Sequence, residues 1–379
     1  MSRFVLAPER LFDGETIRAG AVVLVDGGRI AAVGANADMP SEVERIPVGG
    51  LLAPGFIDVQ VNGGGGVLLN DAPSLATMAA IARAHRRFGT TGLLPTLITD
   101  TRERMAAALA ASDTAVRAAI PGVLGVHIEG PFLNPARKGV HDPALMRTPE
   151  EEDFALLAEA RPGATLVTLA PEMVGPAAVA RLVSAGVKVS AGHTGADAQT
   201  LEAARASGLT GYTHLFNAMP PLGGRAPGPV GAALSERETF CGLIVDFHHV
   251  SIEAMKTAIA AKGFSRVMLV TDSMSTIGTD VDGFVLQGRK IVRGGGRLTT
   301  EDGTLAGSDL DMASAVRNVV EALGLPLAQA LAMASYVPAT FLGLDQIGRI
   351  APDLRADLVA LDSALQVTGT WIAGAYEAA

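Results

Sequence analysis

GVLGVHIEGPFLNPARKGVH, residues 122–141, is the stretch on which the reading of the whole chain turns. It opens with a short apolar run, residues 123–128, of the kind that forms a strand covered on both faces. Glu129 follows directly, and Gly130 and Pro131 then end regular structure and turn the backbone. A carboxylate held where a buried strand meets a tight turn is rigid and still faces an opening, which suits a metal ligand or a catalytic acid. A loop carboxylate that caps a helix or pairs with Arg137 or Lys138 has the same spelling, so the other strands have to decide.

Seven more apolar segments of this type occur, at residues 55–59, 92–97, 164–169, 187–191, 212–215, 242–245 and 267–270. Helical segments fall between most of them, with start signals at Ser74, at Thr101, at Thr148 with Pro149 in the first position, and at Ser251. Gly89 and Gly263 are placed to stop two of these helices. Eight buried strands alternating with helices predict an α/β fold, a (β/α)8 TIM-like barrel whose chemistry sits at the C-terminal ends of its strands. Residues 283–306 break the pattern and read as an inserted hairpin.

Outside the barrel the period changes to that of strands. Residues 21–25 alternate, Asp26-Gly27-Gly28 turns the chain, and residues 29–33 return. Residues 348–350, 356–361 and 367–372 are short strand-like pieces at the other end. Neither end carries enough apolar surface to be stable alone, so the two are expected to pair into one small β-sandwich domain, residues 1–52 plus 345–379, beside a barrel of residues 53–344.

Composition excludes several classes of function. The chain of 379 residues is 49% apolar and 18% charged, which is the make-up of a compact domain with a sizeable core. A formal net charge of -9 argues against a nucleic-acid or anionic-membrane binder, both of which need a basic surface. Aromatic residues, at 4%, are too few for a base-stacking platform. The single cysteine, Cys241, lies in an apolar run and cannot form an intrachain disulfide; with no leader-like or membrane-length apolar segment, a cytoplasmic enzyme is expected.

The strand ends carry the chemistry. Strand one leads into Gln60 and Asn62 and then four glycines; strand three ends at Glu129; strand five leads into His193; strand six contains His214; strand eight leads into Asp272. Two imidazoles and a carboxylate are the ligands a catalytic zinc-type site takes from its protein, with a fourth position left for water, and Glu129, His193 and His214 supply that set. Asp272 is then the best general base. His85, among arginines on a helix, reads as part of a solvated face, and His127 as a buried hydrogen-bonding group.

Five strings, PGFIDVQVNGGGG, HIEGPFLNPARKGVH, SAGHT, THLFNAMPPLGGRAPG and LVTDSM, resemble the N-acetylglucosamine-6-phosphate deacetylase family of the amidohydrolase superfamily, in order and over essentially the whole chain. The resemblance implies hydrolysis of N-acetylglucosamine 6-phosphate to glucosamine 6-phosphate and acetate. It matches Glu129, His193 and His214 to metal ligands, Asp272 to the catalytic aspartate, and His141 to a histidine on the substrate carbonyl. Arg225 and His249 match phosphate contacts, although His248 stands next to the latter, and Asn217 and Ala218 match positions that hold the sugar or phosphate. The cation pair crosses a subunit interface in that family, which implies a homodimer. Where many amidohydrolases carry His-x-His on strand one and a carboxylated lysine on strand four, this chain has Gln60 and Asn62 and no lysine in residues 164–169. One tightly held divalent ion, zinc by preference, is therefore expected, with Gln60 and Asn62 marking a weak second-metal or substrate position. The galacto epimer of the substrate is a close alternative. A cyclic amidase lacks its expected ligands here, and a non-enzymatic scaffold that retains its ligands is the reading from a different class.

Overall fold

The computed structural model describes residues 3–379. Met1 and Ser2, the first residues of the expected N-terminal β unit, lie outside the described residues. The central sheet is parallel and its eight strands follow chain order: β1 Phe56–Val61, β2 Thr90–Ile98, β3 Gly125–Glu129, β4 Ala164–Leu169, β5 Lys188–Ala191, β6 Gly211–Tyr212, β7 Phe240–Leu243 and β8 Val267–Leu269. Helices cover the outer face, so the strands are buried on both sides and are apolar without alternation. The barrel closes by a narrow seam. Val61 bridges Ser273, the amide of Asp272 donates to the carbonyl of Gln60 at 3.0 Å, and the amide of Asn62 donates to Ser273 at 2.9 Å.

Three of the helix starts fall where the capping side chains predict. Ser74, Thr101 and Ser251 each accept a main-chain N–H from the first turn of Leu75–Arg86, Arg102–Arg117 and Ile252–Lys262. The fourth does not: that helix runs Glu151–Leu157, and Glu150 with Asp153 forms its cap instead of Thr148. Asp153 is itself gripped by Arg102 and Arg147, which fixes the later start.

Both chain ends enter one eight-stranded sheet. Leu358–Leu361, from the C-terminal end, pairs antiparallel with Arg45–Pro54, which runs parallel to Arg3–Phe12. Leu6, Leu11, Val23, Leu52, Leu358 and Trp371 form its apolar layer. The expected hairpin at 283–306 is larger than predicted. It is a four-stranded antiparallel sheet of Gly283–Leu286, Arg289–Gly294, Arg297–Thr300 and Leu305–Ser308. Its apolar face, Leu286, Ile291, Leu298 and Ala306, packs on Leu68, Ile98, Val140 and Met274 at the barrel rim. No helix among the described residues is long and apolar enough to cross a membrane.

Candidate active site

The side chains just past the strand ends meet at one rim. Glu129 is the last residue of β3, His193 and His214 each stand two residues past β5 and β6, and Asp272 stands three past β8. At His193, His214 and Asp272 the chain turns with φ of 48°, 30° and 53°. A left-handed conformation in a residue other than glycine costs on the order of 1–3 kcal/mol, so the surrounding structure imposes it, and such residues concentrate at functional sites. Phe216, Ala218 and Phe247 share it, so among the described residues six of the eleven non-glycine residues with positive φ lie around this rim.

Three buried ligand atoms face one point. His214 Nε2 lies 3.0 Å from Glu129 Oε1 and 3.1 Å from His193 Nε2, and His193 Nε2 lies 3.3 Å from the same carboxylate oxygen. His193 Nδ1 is 2.8 Å from the main-chain oxygen of Arg137. A carbonyl can only accept, so Nδ1 carries the proton and Nε2 presents its lone pair to the cluster. Two imidazole nitrogens and a carboxylate oxygen turned on each other are satisfied by a cation, and the set matches a three-ligand zinc-type site. The three residues form a group that could hold a metal ion. The alternative reading of Glu129, as a cap or a partner of Arg137 or Lys138, does not occur here.

Asp272 sits beside this cluster with one oxygen tied down. Its Oδ1 accepts from Asn62 Nδ2 at 2.7 Å and from Gln60 Nε2 at 3.1 Å, and Gln60 Nε2 also lies 3.3 Å from each oxygen of Glu129. An amide nitrogen has no lone pair to offer a cation. In this arrangement Gln60 and Asn62 act as donors that orient Asp272 and leave Oδ2 for the cavity. Burial, and then the Glu129 carboxylate, push the Asp272 carboxyl up to about 6, in the range where a proton acceptor can also become a donor near neutrality.

A cavity of about 370 Å³ opens over these groups, within the usual size of a small-molecule site. Glu129, His141, His193, His214, Asn217, Ala218, His249 and Asp272 all line it. The His141 ring lies tilted against that of His193, centroids 4.4 Å apart, and burial, then His193, hold its pKa well below the usual imidazole value, so it is neutral. His249 Nδ1 donates to Asp246 Oδ2 at 2.6 Å, which turns its ring to the cavity, whereas His248 is exposed and does not line it. Asn217 spends its amide on the main-chain oxygens of His214 and Leu215. Arg225 is exposed and stands apart from the cavity of its own chain.

One reading changes. His85 is buried and not solvated: its Nε2 lies 2.9 Å from the oxygen of Gly63 and 3.4 Å from Ser273 Oγ. The glycine run makes this possible, because a Cβ on Gly64 would come within 2.9 Å of that ring. His127 is buried as expected, 2.8 Å from Thr168 Oγ1. The sequence reading also missed the far wall of the cavity, where the inserted sheet contributes Thr304 and Leu305 and the barrel rim adds Met274. Nothing in the spelling of residues 283–306 ties that segment to the strand ends.

Known proteins are similar to this chain over most of its length. The pattern of the amidohydrolase family matches residues 51–376. An N-acetylgalactosamine-6-phosphate deacetylase from Shewanella sp. (strain ANA-3) is 46% identical over 325 residues, covering 86% of this chain and 82% of the relative. The crystal structure of N-acetylglucosamine-6-phosphate deacetylase from Pasteurella multocida superposes with a TM-score of 0.96 at 33% identity over 100% of both chains. A mutant of the Mycobacterium smegmatis N-acetyl-D-glucosamine-6-phosphate deacetylase, in complex with N-acetyl-D-glucosamine-6-phosphate, gives 0.91 at 33% identity over 99% of both chains.

Proposed function

Because the chain belongs to the amidohydrolase family, we propose that it removes the acetyl group of N-acetylglucosamine 6-phosphate by hydrolysis, releasing glucosamine 6-phosphate and acetate. The observation that carries this reading is the convergence of Glu129, His193 and His214 with Asp272 and His141 on one cavity. Glu129, His193 and His214 would hold one divalent ion, zinc by its preference for imidazole and carboxylate. When bound, such an ion supplies Lewis acidity to the acetamide carbonyl and lowers the pKa of water.

The protein's own groups do the rest. Asp272 takes a proton from the attacking water through Oδ2 and returns it to the departing nitrogen, so the amine leaves neutral. His141, with Nε2 toward the cavity, donates to the carbonyl oxygen as negative charge develops there. Asn217 and Ala218 line the sugar, and His249, oriented by Asp246, meets the phosphate. Arg225 would reach the phosphate from a second subunit, which makes the working unit a homodimer. A cytoplasmic setting goes with this substrate and with a chain that has one cysteine, Cys241, buried in the barrel.

The galacto epimer is a second reading, favoured by the 46% identity to the Shewanella relative. Rates on both sugar phosphates test the pair directly. Turnover of N-acetylglucosamine 6-phosphate is expected; a kcat/KM about 10-fold or more in favour of the galacto epimer reassigns the substrate, and no release of acetate from either sugar removes the proposal. Arg225→Ala is expected to raise KM for the phosphorylated sugar about 10- to 100-fold, the worth of a charge-assisted contact, with little effect on the unphosphorylated sugar. Equal effects on both would contradict a phosphate contact.

A further inference from the structure

The use of His141 as a donor requires that its proton sit on Nε2, and the group that decides this is Thr99. Thr99 directly follows β2 and is buried. Its main-chain N–H lies 3.3 Å from His141 Nδ1, and its hydroxyl oxygen lies 2.8 Å from the same nitrogen. A main-chain amide can only donate, so Nδ1 must be the acceptor and Nε2 must carry the hydrogen. The hydroxyl then points its own hydrogen the same way.

The surroundings are shaped to keep it there. Gly130 has no side chain where the hydroxyl sits: a Cβ would come within 2.3 Å of Thr99 Oγ1. From the other side, a tight turn of the inserted sheet grips both partners. Gln287, with φ of 47°, donates from Nε2 to the Thr99 carbonyl at 2.7 Å, and Arg289 donates to the carbonyl of Val140, the residue before His141.

We propose that Thr99 is a positioning residue of the reaction, which fixes His141 with Nδ1 as acceptor and Nε2–H aimed at the substrate carbonyl, and that the Gln287–Arg289 turn holds this pair in register. The catalytic part of this inference rests on the deacetylase reading; the tautomer part does not.

Thr99→Val and Thr99→Ser, assayed as the full-length metal-loaded protein, test it. Thr99→Val keeps the shape and the main-chain N–H and removes the hydroxyl, the shorter of the two contacts to Nδ1; kcat is expected to fall about 10-fold or more while KM stays within about twofold, since the weakened hold on His141 acts as charge develops on oxygen. Thr99→Ser should recover most of that rate. A trifluoroacetyl substrate, whose carbonyl needs less help, should narrow the gap between Thr99→Val and the native protein. Nitrogen NMR of histidine-labelled native protein should show His141 Nδ1 as the bare nitrogen. A native His141 protonated at Nδ1, or a Thr99→Val kcat within twofold of native, overturns the proposal. Should Thr99→Val fail to fold, the native spectrum and the Thr99→Ser rate still decide. If the native protein releases no acetate, the deacetylase reading falls and the spectrum alone judges Thr99.

Discussion

Asp272→Asn is expected to lower kcat about 10³- to 10⁴-fold while leaving metal content near one equivalent, read by steady-state rates beside elemental analysis of the same sample. The geometry dictates which way the new amide lies. Asn62 Nδ2 and Gln60 Nε2 both donate to the position of Oδ1. An asparagine must turn its carbonyl oxygen to them, because its NH2 would meet two donors. Its NH2 is then left facing the cavity, a donor where the reaction needs an acceptor. The three proposed metal ligands are untouched, so a variant that loses metal together with activity would mean Asp272 helps to hold the ion, and a variant with more than about a tenth of native kcat would remove it as the base.

Glu129→Gln is expected to reduce bound metal below about a tenth of an equivalent and activity by about 10³-fold or more, since the charge that balances the cation and its strongest oxygen donor go together. Its signature is thermal as well as catalytic. Addition of zinc at 100 times its dissociation constant stabilises native protein by about 2.7 kcal/mol through binding alone. The native melting temperature should therefore rise with zinc and the variant's should not. A Glu129→Gln protein that keeps its metal and its zinc-dependent melting shift would dismiss the three-ligand site, whatever happened to its rate. Chelation of the native protein should reproduce both losses, and added zinc should reverse them.

The parts of the fold legible in the sequence were those in which one side chain or one period decides the outcome. Ser74, Thr101 and Ser251 each cap a helix alone, and the apolar strands need no partner to be recognised. Glu129, His193, His214 and Asp272 could be brought together from the sequence for a related reason: each sits at or just past the end of a strand, and a barrel gathers such positions at one rim whatever their separation in the chain. Thr148 failed as a helix start because a distant pair, Arg102 and Arg147, holds Asp153 in a competing cap. His85 failed because its burial depends on a glycine hairpin twenty residues earlier, not on its own helical neighbours. Thr99 carries no charge and no unusual spacing, so only its position against His141 gives it a meaning. Gln60 and Asn62 were read by what they lack as ligands, and their use as donors to Asp272 needed the seam to be closed.

That seam has a consequence for assembly. The amide of Asp272 reaches Gln60, and Ser273 reaches Asn62, where the first strand meets the last. The hydrogen bonds that orient Asp272 are thus completed only by the final joint of the ring. Glu129, His193 and His214 come from the ends of the third, fifth and sixth staves, whereas Asp272 meets Asn62 and Gln60 only where the circle is shut, so the orientation of that carboxylate depends on closure.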